Sequence, residues 1–211
     1  MQGVMNMKWT NTLFTIVLLS GLSAAASAQN IVTNGDFEDA NLTGWTRNNS
    51  ASVPWSVYSS YHDLVPLSGS SYFAETGCVG TGCLAYESST ANDLSQTLTT
   101  VLGQSYTLSF YTSNGGSGSN IGPSELDVYW GGAQVVALNP VPGVAPAYTM
   151  YTATVTATGT STDLEFLGRQ DPMWMALDDV SVTAVPLPAS IWLMLSGLVG
   201  VGAMARKRRA A

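Results

Sequence analysis

The feature that most limits what this chain can fold into is a strict period of two. Tyr106, Leu108 and Phe110 alternate with Thr107, Ser109 and Tyr111, and Leu126, Val128 and Trp130 alternate with Glu125 and Asp127. Tyr151, Ala153, Val155 and Ala157 alternate with threonines 152, 154 and 156. Leu164 with Phe166, and Val180 with Val182, repeat the pattern. Successive side chains of an extended chain point to opposite faces, so such runs bury one face and wet the other. Nothing between residues 29 and 184 shows a helical period. Trp130-Gly131-Gly132-Ala133 predicts a tight hairpin turn. Many short strands without an internal repeat predict an all-β fold, a two-sheet antiparallel sandwich or jelly roll, and argue against a solenoid or propeller.

Charge sets the rest of the frame. Only 10% of the 211 residues are charged, and the net charge is −7. Soluble domains carry about 25% charged residues. Lys8 lies near one end, and Arg206, Lys207, Arg208 and Arg209 lie at the other. Between them Arg47 and Arg169 face all fourteen acids, with no lysine and one histidine, His62. So acidic a body excludes a nucleic-acid binder, which needs cations to displace counterions from phosphate. Abundant apolar and aromatic residues argue against disorder. The ends and the middle are built for different surroundings.

Residues 1–28 read as a secretory signal helix. Lys8 supplies the positive start, Leu13 to Leu22 the apolar run, and Ala26-Ser27-Ala28 a small-residue site for signal peptidase. The mature chain then begins near Gln29. At the other end Val185, Pro186, Leu187, Pro188 and Ala189 precede an uncharged apolar segment over about 189–205 and the basic end 206–209. As a helix that segment reaches about 25–27 Å, close to the roughly 30 Å of a hydrocarbon core. Its basic cluster should stay cytoplasmic. This tripartite tail, 185–211, resembles the PEP-CTERM sorting signal of Gram-negative bacteria, in a variant that lacks the Glu of the name. The resemblance implies processing by an exosortase, a membrane cysteine peptidase, in a cell that makes exopolysaccharide. It further implies an inner-membrane intermediate and a final place at the cell surface or in the extracellular matrix.

The functional part is therefore residues 29–184. Ser113 to Asn120 predicts a flexible crossover, and Asn139 to Pro146 a stiffer connection. Cys78 and Cys83 read as a disulfide closing a small loop in an exported chain, with free thiols as the alternative. Asn34-Gly35-Asp36-Phe37-Glu38 with Gly44-Trp45 resembles the first strand of galactose-binding-like jelly rolls, the fold of many carbohydrate-binding modules. Leu94 to Leu98 followed by Gly103 to Phe110 resembles their central hairpin, and Leu177 to Val182 their closing strand. The resemblance implies a structural calcium between the first and last strands. The matching positions are Asp36 through its carbonyl, Glu38, and Asp178 or Asp179. Ca²⁺ takes six to eight hard oxygens, which carboxylates and carbonyls supply. Alternation with Val180 and Val182 favours Asp178 over Asp179. The Asp36 side chain is expected to brace the Asn34-Gly35 turn.

Sugar rings stack on exposed aromatic faces, and their hydroxyls bond to Asp, Asn, Gln and Arg. Phe37, Trp45 and Trp130 are expected in the core. Trp55, Tyr58, Tyr61 and Trp174 lie in or near loop-like sequence and are the candidate platforms. Arg169, in a Gly-Arg-Gln-Asp-Pro stretch read as a loop, could clamp a ligand or pin its own loop to a buried acid. Similar stretches recur in exported proteins with this tail, which implies an architectural role.

An enzyme is not expected. His62 is the body's lone histidine base, and no Gly-x-Ser-x-Gly elbow is present. No motif singles out a carboxylate pair for glycosidase work. Two readings remain: a module that binds or associates with exopolysaccharide, and a structural surface protein without specific glycan binding. The acidic body favours a neutral glycan, or one bridged through calcium, over a polyanion.

Overall fold

The computed structural model describes residues 29–47, 53–77, 92–115, 124–186 and 194. The expected signal segment, Cys78 and Cys83, the tail residues Leu187, Pro188 and Ala189, and the basic end lie outside these residues. Among the described residues no helix is long and apolar enough to cross a membrane. The body forms one compact unit, Ser27–Leu187.

Among the described residues ten strands make two antiparallel five-stranded sheets, the two-sheet sandwich that the alternation predicts. They are β1 (Thr46–Arg47), β2 (Val53–Tyr58), β3 (Phe73–Gly77), β4 (Asn92–Thr99) and β5 (Ser105–Asn114), then β6 (Ser124–Trp130), β7 (Ala133–Leu138), β8 (Thr149–Thr156), β9 (Ser161–Gln170) and β10 (Trp174–Ala184). Sheet I runs β1-β4-β9-β6-β7, and sheet II runs β2-β3-β10-β5-β8. No helix occurs in the described part of the body. The 130–133 turn joins β6 to β7, and both its central glycines hold positive φ (57° and 80°), which a two-residue turn of this twist requires.

One expected pairing fails. The segments 94–98 and 103–110 do not form a hairpin: β4 belongs to sheet I and β5 to sheet II. The chain between them crosses the sandwich, with Gly103 N–H bonded to Ala157 O at 2.8 Å. Turn residues signal a reversal but do not say which sheet the next strand joins.

The inward faces make the core expected of the alternation. Leu94 and Leu98, Leu108 and Phe110, Leu126 and Val128, Leu164 and Phe166, and Val180 and Val182 pack together with Phe37, Trp45 and Trp130. Full burial of each such side chain contributes roughly 1.5–3 kcal/mol. The N-terminal segment is tied on through side chains: Gln96 accepts from Thr33 N–H at 2.8 Å and donates to Thr33 O at 3.0 Å. Gly35 lies so near the last strand that a Cβ there would stand 2.1 Å from Val180 O. A second, smaller cluster sits on the outer face of sheet II. Leu64 from the 59–72 segment packs there on Phe73 and Ala176.

Candidate functional site

The outer face of sheet I is assembled from strands far apart in sequence. Register places Asp93, Leu167 and Asp127 in one row, and Ser95, Glu165 and Tyr129 in the next. Asp163 lies opposite Thr97, whose hydroxyl donates to it at 2.6 Å, and Arg169 lies opposite Glu125. Neighbouring strands are about 4.8 Å apart, so five carboxylates, one tyrosine and one guanidinium share a continuous surface. The crowding is visible in their protonation. Burial and the Asp93 and Asp163 charges push the Glu165 carboxyl up, burial pushes Asp93 up, and Tyr129 rises through burial and the Asp127 and Glu165 charges.

Three polar atoms on this face are shielded from water and have no hydrogen-bond partner: Asp93 Oδ1, Glu125 Oε2 and Arg169 Nε. Arg169 is thus neither in a loop nor pinned to an acid through Nε; it is on β9, pointing outward. The sequence places Glu125 and Asp127 on the polar side of their strand. It carries no sign that β4 and β9 would set Asp93, Glu165 and Arg169 beside them.

The aromatic candidates divide. Trp55 is no platform: it is fully buried on β2 and donates its indole N–H to Asn92 O at 2.8 Å. Its strand alternates Val53, Trp55 and Val57 inward against Pro54, Ser56 and Tyr58, and the short run with a proline hides that period. Tyr58, Tyr61 and Trp174 do come together, on the outer side of sheet II. Tyr58 and Tyr61 lie 4.5 Å apart by ring centroid, and Tyr61 meets Trp174 edge-on at 5.4 Å. His62, exposed at the tip of the 61–64 turn, stacks flat on Trp174 at 3.9 Å and 8°.

The four acids proposed from the resemblance also find places. Glu38 Oε1 accepts from Ser71 N–H and Tyr72 N–H, at 2.6 and 3.0 Å, and those bonds hold its carboxyl below the usual range. Asp36 braces its own turn, accepting from Glu38 N–H at 3.4 Å. Asp178 is fully buried and accepts from Leu67 N–H and Asp179 N–H. Burial first, then the Asp179 and Glu38 charges, push it up to about 7 against those two bonds. Asp179 is exposed at a bulge with φ 54°. Among the described residues no three His, Cys, Asp or Glu side chains converge as a metal cluster. An ion at Asp178 and Glu38 would therefore draw on backbone carbonyls as well. The donor chemistry fits a hard cation: two oxygen-donor side chains close enough to repel, in a body without lysine.

No protein-family model and no curated protein sequence matches the chain. Solved structures do share its fold. The CBM22-1 xylan-binding domain of Paenibacillus barcinonensis Xyn10C superposes with a TM-score of 0.54 at 17% identity, over 78% of this chain and all of that one. The K1 cleaved adhesin domain of Lys-gingipain from Porphyromonas gingivalis W83 gives 0.52 at 13%, over 72% of this chain and 96% of that one. The enzymatically active domain of bacteriophage CBA120 tailspike protein 4 gives 0.52 at 14%, over 74% of this chain. This chain spans about a fifth of that tailspike domain (21%). The body thus has the jelly-roll fold of carbohydrate-binding modules.

Proposed function

We propose that this chain is an exported glycan-binding protein of the cell envelope or extracellular matrix, which engages polysaccharide through the outer face of sheet I. The observation that carries the reading is the set of unpartnered polar atoms, Asp93 Oδ1, Glu125 Oε2 and Arg169 Nε, on the face that presents Tyr129. A shielded polar atom without a partner is costly, and sugar hydroxyls both donate and accept. The carboxylates accept hydrogen bonds from hydroxyls, Arg169 donates one, and Tyr129 offers a ring to stack on. Five acids on one face disfavour a polyanion and favour a neutral glycan, or one bridged by calcium. The shared fold with a xylan-binding domain supports the class of ligand.

The ends supply the address. Signal peptidase removes 1–28, the 185–211 tail passes through the inner membrane, and an exosortase acts near Val185 to Ala189. A structural calcium belongs to the same reading. Held by Glu38, Asp178 and neighbouring carbonyls, with Asp36 and Asp179 adjoining, it would neutralise the buried charge and clamp the last strand to the 67–72 segment.

One observation favours the second reading, a structural surface protein. The outer faces of β5 and β8 are almost wholly hydroxylic, with Ser105, Thr107 and Ser109 beside Thr152, Thr154 and Thr156. Affinity gels separate the two. The full chain, in a detergent without sugar, is run through gels cast with the producing organism's own exopolysaccharide, with calcium and with chelator. Retardation that disappears in Tyr129→Ala is the expected result. Equal mobility with and without polymer leaves the structural reading ahead.

A further inference from the structure

The outer side of sheet II hides an acid that neither the core nor the sheet I face employs. Glu75, in the middle of β3, is 1% exposed, and its Oε1 has no hydrogen-bond partner. Across the sheet its neighbours are Ser56 and Ala176. Beyond Ala176 comes Ser113, fully buried, whose Oγ also lacks a partner. Two unsatisfied polar groups thus flank one small side chain. Each is costly to leave unpaired in the interior, a carboxyl most of all.

Aromatic rings lie on the Glu75 side, and Leu64 packs over Ala176. Tyr61 is close enough to Glu75 for the acid's charge to push its hydroxyl up. Tyr58 adjoins Tyr61, and the Trp174 indole lies across Gly77, the same-face neighbour of Glu75. An acid in an aromatic enclosure selects strongly among ligands. A divalent metal needs more oxygens than one carboxyl and one hydroxyl supply. An ammonium suits the place: the carboxylate pairs with its charge, Ser113 Oγ accepts a hydrogen bond from it, and the ring faces attract it. The Trp174 face shows what can lie against it, for the His62 imidazole stacks there flat. A sugar ring needs such a flat support.

We propose that Glu75 and Ser113, walled by Tyr58, Tyr61 and Trp174, form a binding site for a protonated amine carried on a sugar ring. In this structure the site is closed by the 61–64 turn. Two backbone bonds, Tyr61 N–H to Leu64 O and Leu64 N–H to Tyr61 O, shape that turn, with His62 at a left-handed φ of 54°. The ligand ring takes the position of the imidazole on Trp174, and its amine reaches Glu75 once the Tyr61 ring turns aside. The site is on the opposite sheet from the Tyr129 face and stands whether or not that face binds glycan.

Protonation gives the site a signature. Burial pushes the Glu75 carboxyl up to about 8, so at pH 7 it holds its proton. Among the described residues the other titratable groups on this side are Tyr58, Tyr61, His62, Asp63, Tyr111, Tyr148 and Asp178, and the Arg47 guanidinium reaches Ser56 Oγ, on the strand next to Glu75, at 3.0 Å. Pairing with an ammonium must ionise Glu75, so an amine that is already protonated in solution releases a proton when it binds at pH 7.

Calorimetry of the full chain in a sugar-free detergent tests this, with a β-1,4-linked glucosamine trisaccharide titrated at pH 7 in two buffers of different ionisation enthalpy. The expected result is binding with proton release. Glu75→Gln, which mimics the protonated acid and should fold, is expected to weaken it at least tenfold and abolish the release. The neutral N-acetylated trisaccharide should bind at least tenfold more weakly. Absence of binding, absence of proton release, equal affinity for the two trisaccharides, or an equal response to a Gly-Lys-Gly peptide would each overturn the proposal.

Discussion

The buried carboxylate of Asp178 accepts the backbone N–H of Leu67 at 3.1 Å, joining the final strand to a segment 111 residues earlier. The same carboxyl lies near Glu38, which grips Ser71 and Tyr72 of that segment. Two acids thus anchor one loop, and a cation bound there would offset the burial that disfavours the charged Asp178 carboxylate.

Calcium should therefore stabilise the chain measurably. At a hundredfold excess over its Kd a ligand adds about 2.7 kcal/mol to folding stability. Thermal unfolding in calcium and in chelator reads this directly. The wild-type Tm should be higher in calcium, and Asp178→Asn should erase most of the difference. The same Tm in both solutions would rule out the ion.

Without calcium, stability should decline as the pH rises through neutrality. Glu75 and Asp178 have folded-state values pushed up to about 8 and about 7, from ordinary values of 4.5 and 3.8. Over that interval the native state binds more protons than the unfolded chain, so the stabilisation present in acid is lost as each folded-state value is passed. Urea unfolding at pH 5, 7 and 8.5 in chelator should show the fall, and Glu75→Gln should flatten its upper part. A profile that is the same in wild type and Glu75→Gln would mean that Glu75 is ionised throughout.

Trp55 and Tyr129 should separate stability from binding. Trp55→Ala opens a core cavity and leaves Asn92 O without its donor, at a cost of about 3–5 kcal/mol. Tyr129, half-buried on an outer face, should cost far less when truncated, yet its loss should abolish retention in polysaccharide gels. Denaturation midpoints and gel mobility on the same preparations check both halves. Equal loss of stability in the two variants would place Tyr129 in the core.

Much of the fold was readable before any coordinates. Leu126, Val128 and Trp130 face inward and Glu125 and Asp127 outward because the period of a strand is two, a property of neighbouring residues. The inward places of Phe37 and Trp45, which lie on no long strand, followed from the resemblance and its Asn-Gly turn, and both are buried. Trp55 was misjudged because a six-residue strand containing Pro54 shows little period.

What the sequence determined by itself was local: which segments extend, which of their faces is apolar, and where the chain turns. The tertiary structure alone decided that β4 and β5 part into different sheets. It alone set Asp93, Glu165, Tyr129 and Arg169 on one face, and buried Glu75 beneath Tyr61. The reason is physical. Alternation is set by backbone geometry within a few residues, whereas register is a choice among distant partners, made by how both sheets together fill the core.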